Sequence, residues 1–222
     1  MNTRAVRDVL VLLVMLGIGA APAAHCQTSF QTWPELDLTW KMPDGWALYV
    51  PLSFNGKRET DNREATAGAS IERHHNRILS YAIGYRYVWS LANEAPYSEN
   101  RYLAELTTHA HPGGGMSFND RNRYEYRVIN GETSWRYRNR LLVERPIVRK
   151  DSTVSSLTPY GSMEVFYDSR YDFFNRVRVE LGVVTRLSSR FDIDSYLAFQ
   201  SDNQDDPPKR VAALGVKLQF TF

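Results

Sequence analysis

The 222-residue sequence has a single cysteine, Cys26, which leaves no disulfide framework and no thiol pair to work with. After residue 18 no apolar run approaches the roughly 20 residues that a helix needs to cross a bilayer. Charge of one sign is also lacking, since 27 Lys and Arg stand against 25 Asp and Glu. That balance excludes the basic footprint of a nucleic-acid binder. No His-x-Ser pair occurs, and the spacings assemble no nucleophile, base and orienter, so the sequence predicts no enzyme and no cofactor. What is abundant is aromatic: 13% Phe, Trp and Tyr in a chain whose mean hydropathy is −0.44. A chain that is hydrophilic on average still crosses a membrane if every second residue faces water.

The first 26 residues have the layout of a secretory signal. Arg4 and Arg7 precede the apolar run Val9 to Ile18, and the small residues Gly19-Ala-Ala-Pro-Ala-Ala24 follow. Cleavage is expected after Ala23 or Cys26. A lipid anchor is not expected, because Ala23 and His25 stand where a lipoprotein signal wants Leu and a small residue. Removal of residues 1–26 leaves a single domain, 27–222, with a net charge of +1.

Period two then recurs to the end of the chain. Ala212, Leu214, Val216, Leu218, Phe220 and Phe222 alternate with Ala213, Gly215, Lys217, Gln219 and Thr221. Residues 30–40 and 46–54 place Leu36, Leu38, Trp40, Leu48, Val50 and Leu52 on one face and Glu35, Asp37, Tyr49 and Ser53 on the other, across a turn at 42–45. Residues 66–74 read as a weak strand, and 79–89 carry a long aromatic face. The stretch 101–110 alternates poorly. Asn130-Gly131 is a strong hairpin signal between two arginine-rich strands. Further alternating segments cover 162–168, 176–183 and 191–200.

A soluble β-sandwich would alternate too, but here arginine lies mid-strand and Trp and Tyr lie at the strand ends, as interfacial girdles do. The expected fold is all-β, an antiparallel up-and-down transmembrane barrel after a cleaved signal peptide. Eleven strands can be counted. Because bacterial single-chain barrels have even numbers, twelve are expected, with ten as the alternative and 145–156 as the place where an extra edge segment could lie. Both termini are expected at the periplasmic end, with 187–190 a turn on that side and 201–209 an outer loop.

The chain also resembles a family. Phe30-Gln-Thr-Trp-Pro-Glu-Leu-Asp-Leu38, Arg121-Asn-Arg-Tyr-Glu-Tyr-Arg127, Trp135-Arg-Tyr-Arg-Asn-Arg140, Pro159-Tyr-Gly-Ser-Met-Glu-Val-Phe-Tyr167 and Asn175-Arg-Val-Arg-Val-Glu-Leu-Gly182 are similar to domain-of-unknown-function family 2490. The resemblance implies an uncharacterised outer-membrane barrel and no specific activity. Phe222 resembles the carboxy-terminal signal read by the barrel-assembly machinery, which would be a partner during insertion into outer-membrane lipid.

The candidate site is the inward face. Parity points Arg86, Arg101, Arg121, Arg123, Arg127, Arg136, Arg138, Arg140, Arg176 and Arg178 into the lumen, against Glu35, Asp37, Glu105, Glu125, Glu144, Glu164, Glu180, Asp192 and Asp194. One reading is a closed structural or partner-binding barrel filled by Arg–Glu pairs. The other is a small pore in which Arg123, Arg127, Arg136, Arg138 and Arg140 form a path for an anionic solute. A hydrolase is the third and weakest reading. His109-Ala-His111 and His74-His75 read as surface histidines rather than metal ligands, and Asp205-Asp206, before Pro207-Pro208, as turn residues.

Overall fold

The computed structural model describes residues 28–57, 63–91, 96–148, 156–204 and 208–222. The signal-like segment, its cleavage sites, Cys26 and Asp205-Asp206 lie outside the described residues. Apart from a short 3-10 turn at Pro43–Gly45, every regular element described is a strand. They are β1 (Thr28–Lys41), β2 (Trp46–Lys57), β3 (Glu64–His74), β4 (Leu79–Ser90), β5 (Ser98–Gly113), β6 (Met116–Ile129), β7 (Glu132–Glu144), β8 (Ile147–Val148), β9 (Ser156–Asp168), β10 (Phe173–Arg186), β11 (Phe191–Asp202) and β12 (Lys209–Thr221).

Eleven of them close on themselves: β1 to β7 in order, then β9 to β12, with β12 returning to β1. Neighbours are antiparallel except β12 and β1, which pair parallel from Thr28↔Arg210 to Thr39↔Thr221. Parity requires this, because in an up-and-down wall with an odd number of strands the first and last must run the same way. The twelfth strand, β8, pairs with the start of β9 through Ile147↔Leu157 and Val148↔Ser156. It falls within 145–156, where the sequence allows an extra edge segment. Twelve strands are therefore present, but the even-number rule does not govern the wall.

A consequence is that β1 begins at the opposite end of the barrel from Phe222, not beside it as expected. The Phe222 end carries the turns at 42–45, 75–78, 114–115 and 187–190, and the amide of Thr221 donates to the carbonyl of Arg190 there. The other end carries 130–131 and 169–172. Asn130 (φ 50°) and Gly131 (φ 93°) both take positive φ, the two-residue turn whose twist matches that of the strands it joins.

Burial is inverted relative to a soluble sandwich. Ile83, Leu106, Met163, Leu197, Phe199 and Leu214 lie on the exposed outer face, while Arg123, Glu125, Arg127, Glu164 and Asp168 are buried. A hydrocarbon solvent favours this arrangement. Aromatics collect at both ends of the outer face. Near Phe222, Trp40 stacks on Phe222 at 5.3 Å, Phe191 stacks on Phe220 at 4.7 Å, and Trp46 meets Tyr81 edge-on at 6.4 Å. Toward the other end, Tyr124, Trp135 and Tyr167 stack in series and Tyr87 stacks on Trp89. The span of β4 from Tyr81 to Trp89 is about 26 Å along the strand, or ~20 Å at a tilt of ~40°, close to the height of an outer-membrane apolar band.

Candidate functional site

Strand alternation carries one charged face of each wall strand inward, and cross-strand register then decides which charges meet. On β6 and β7 the register places Arg121 opposite Arg140, Arg123 opposite Arg138, and Glu125 opposite Arg136. Two like-charged pairs side by side would be destabilising alone. Carboxylates from flanking strands bridge them. Glu164 of β9 receives two bonds from Arg138 (3.1 and 2.9 Å) and one from Arg121 (2.7 Å). Glu105 of β5 pairs with Arg123 at 2.6 Å and Arg121 at 3.8 Å.

Glu125 is fully buried and sits among four guanidiniums: Arg136 at 2.5 Å, Arg138 at 3.1 Å, Arg123 at 3.5 Å and Arg101 at 3.8 Å. Glu99 takes a bidentate pair from Arg127 (2.5 and 2.9 Å) and a bond from Arg101 (2.8 Å). Asp168 takes Arg127 at 2.6 Å and two bonds from Arg170 in the adjoining turn. Those bonds hold the Arg170 guanidinium above its ordinary pKa.

Of the six arginines of β6 and β7, which the sequence sets against two glutamates, Arg121, Arg123, Arg127 and Arg138 are thus also served by Glu99, Glu105, Glu164 and Asp168. Among the described residues no ion pair reaches Arg86 or Arg140, and the Nε of Arg140 is buried without a hydrogen-bond partner. On β10, Arg176 pairs with Asp202, and Arg178 donates two bonds to Gln200 (3.0 and 2.7 Å) and lies 3.8 Å from Glu180. Glu144 accepts from Ser117 at 2.8 Å and Asn119 at 3.4 Å.

Sequence reasoning missed several residues of this lumen. Phe166 is 2% exposed and lies under the guanidiniums of Arg138 (4.6 Å), Arg176 (5.5 Å), Arg178 (5.5 Å) and Arg136 (5.8 Å). Its parity with Glu164 and Asp168 was the available signal. Trp33 likewise lies under Arg178, at 4.7 Å. Glu99 was missed because β5 starts three residues before the 101–110 segment read from the sequence, and Asp202 because it lies past the end of its segment. Lys217 points inward, 3.3 Å from Glu35 and 3.9 Å from Asp37.

The charges are sorted by wall. Arg86, Arg101, Arg121, Arg123, Arg127, Arg136, Arg138 and Arg140 of β4 to β7 share that surface with Glu99, Glu105, Glu125 and Glu144, a surplus of four positive charges. Asp192, Asp194, Asp202, Glu35 and Asp37 of β11 and β1 stand against Lys209 and Lys217 of β12, a surplus of three negative charges, and Arg176 and Arg186 of β10 pair with Asp202 and Asp192. Charges on β9 and β10 cancel, and β3 contributes only Glu64 and Glu72 at its two ends.

Between the walls runs a polar cavity of about 870 Å³. Its lining reaches Glu64, Tyr97, Ile129 and Tyr171 at one end and Glu144, Pro146, Ser156 and Arg186 at the other. Over a barrel height of ~30 Å this volume gives a mean cross-section of about 30 Å², room for a solute a few heavy atoms wide.

A second polar cluster sits toward the Phe222 end. The Ser80 hydroxyl lies 2.8 Å from Nδ1 of His74 and 2.9 Å from Nε2 of His109, whose Nδ1 lies 2.6 Å from Oδ1 of Asn119. With the Asn119 oxygen as acceptor, His109 carries its proton on Nδ1 and accepts from Ser80 through Nε2. Strands β4, β5 and β6 thereby align a hydroxyl, an imidazole and an orienting amide that no local spacing in the sequence reveals. Ser80 is 1% exposed, lies outside the cavity lining, and is closed off by His74. Among the described residues no group of three or more His, Cys, Asp or Glu could hold a metal ion.

An apolar outer face around a charged interior defines a β-barrel of the membrane type. The protein-family comparison is specific: the chain belongs to the family described as "Protein of unknown function (DUF2490)", whose model matches residues 30–211. No curated protein sequence matches the chain. Among solved structures it is similar in fold to one titled "Bacterial polysaccharide outer membrane secretin", with a TM-score of 0.52 and 11% identity over 82% of this chain and 67% of that one.

Proposed function

We propose that the protein is an outer-membrane barrel that admits small solutes bearing an anionic group through its charged lumen. The observation that carries this reading is the polar cavity lined from one end of the barrel to the other, with arginine on one wall. A packed structural core would close such a space. Arg86 and Arg140 are the guanidiniums best placed to take a passing anion, because the other lumen arginines are engaged by carboxylates. In this reading the protein is exported by the 1–26 signal and inserted through the barrel-assembly machinery with Phe222 as its mark. The Phe222 end, with its short turns, then faces the periplasm.

The paired network favours a second reading, a closed barrel stiffened by Arg–Glu contacts. Conductance of the refolded protein in planar bilayers separates the two. The channel reading expects steady small conductance that favours anions when salt gradients are imposed; no conductance from protein that migrates as a folded, heat-modifiable band leaves the structural barrel. Recovery of the protein in the soluble periplasmic fraction would reject both.

A further inference from the structure

The two charge surpluses face each other. In the closed order of strands β6 stands five steps from β1 in one direction and five from β12 in the other, so the arginine-rich wall lies diametrically across from the carboxylate-rich wall. The narrow section of the cavity brings any solute within reach of both. Groups on each wall remain available. No carboxylate lies within ion-pair distance of Arg86 or Arg140 among the described residues, and opposite them Asp194, which lines the cavity, receives only the hydroxyl of Tyr160 while Asp37 adds its charge from just behind the lining.

A simple anion is drawn to one wall and repelled by the other, and a simple cation meets the reverse. A solute carrying both charges a few ångströms apart gains from both walls once it lies across the lumen, because its dipole aligns with the field between them. We propose that the lumen selects small zwitterions, in which an ammonium is joined to a carboxylate, sulfonate or phosphate, over solutes of either single charge. This inference rests on the channel reading above and adds the cationic half of the solute to it.

Uptake into proteoliposomes of taurine, ethanesulfonate and choline tests it, since none of the three crosses a bilayer unaided. The full barrel should admit taurine at least about threefold faster than either ion, a modest ratio suited to a site that must also release its solute. Asp37→Asn with Asp194→Asn keeps both side-chain shapes and lowers the negative wall, so the taurine advantage should vanish and ethanesulfonate should enter faster. Arg86→Gln with Arg140→Gln, which breaks no ion pair, should slow taurine and ethanesulfonate and speed choline. Folding of each variant is checked by its gel shift, and the wild-type ratio decides the matter if a variant does not fold. Exclusion of all three solutes refutes the channel itself and this inference with it. Ethanesulfonate entering wild-type protein as fast as taurine, or folded variants with unchanged ratios, overturns the zwitterion preference and leaves the channel standing.

Discussion

Glu125 shows what the lumen costs and how it is stabilised. A carboxylate without exposure is tolerable only if its partners hold it fully, and four arginines from three strands do so. Glu125→Ala removes the shared counter-charge and should destabilise the barrel by about 3–5 kcal/mol, read as a lower urea midpoint in lipid vesicles. Arg136→Glu with Arg138→Glu should fare worse. With Glu125 and Glu164 bonded directly to those two guanidiniums, the expected outcome is unfolded, protease-sensitive protein. The inward direction of these residues was legible, because parity alone sets it. Which arginine meets which carboxylate was not, since the register between distant segments determines it, and so does the Ser80–His109–Asn119 alignment.

Between strands, glycine makes room for aromatic rings. A Cβ on Gly215 would lie 2.0 Å from the ring of Tyr196, and one on Gly182 would lie 2.6 Å from the ring of Tyr160. Each tyrosine thus lies flat over the neighbouring strand and hands its hydroxyl on, Tyr160 to Asp194 and Tyr196 to Glu35. Gly182 shares the inward parity of Arg176, Arg178 and Glu180. In the structure any side chain there must first displace Tyr160. Gly215→Ala should cost about 1–3 kcal/mol through this overlap, and combining it with Tyr196→Ala should remove most of the penalty; a double-mutant cycle in urea titrations measures the coupling. Additive penalties would mean that ring and strand do not touch. The existence and faces of the strands were legible from period two, including the weakly alternating 101–110 segment. The ring-over-glycine contacts were hidden because they join residues from adjacent strands through space.

At the scale of the whole molecule two features can be tested independently of function. Val179 lies mid-strand on the outer face, between Met163 and Phe199. Val179→Arg should cost about 2–4 kcal/mol if that height is the bilayer midplane, measured by the same vesicle titration.

The second feature is the odd wall. An even barrel returns its last strand to the end where its first began, whereas parallel closure of β12 on β1 puts Thr28 and Phe222 at opposite ends. The sequence could not show this, because its patterns number the strands without showing which of them span: 147–148 counts as a strand yet only lines the edge of β9. An epitope inserted just before Thr28 and one placed between Asn130 and Gly131 should therefore be read on the same side of the membrane, and one at Ser188 on the other. With the Phe222 end toward the periplasm, antibody added to intact cells should bind the first two tags and miss the third until the outer membrane is permeabilised. If the tag before Thr28 behaves like the one at Ser188, the wall has an even number of spanning strands and the parallel seam is wrong.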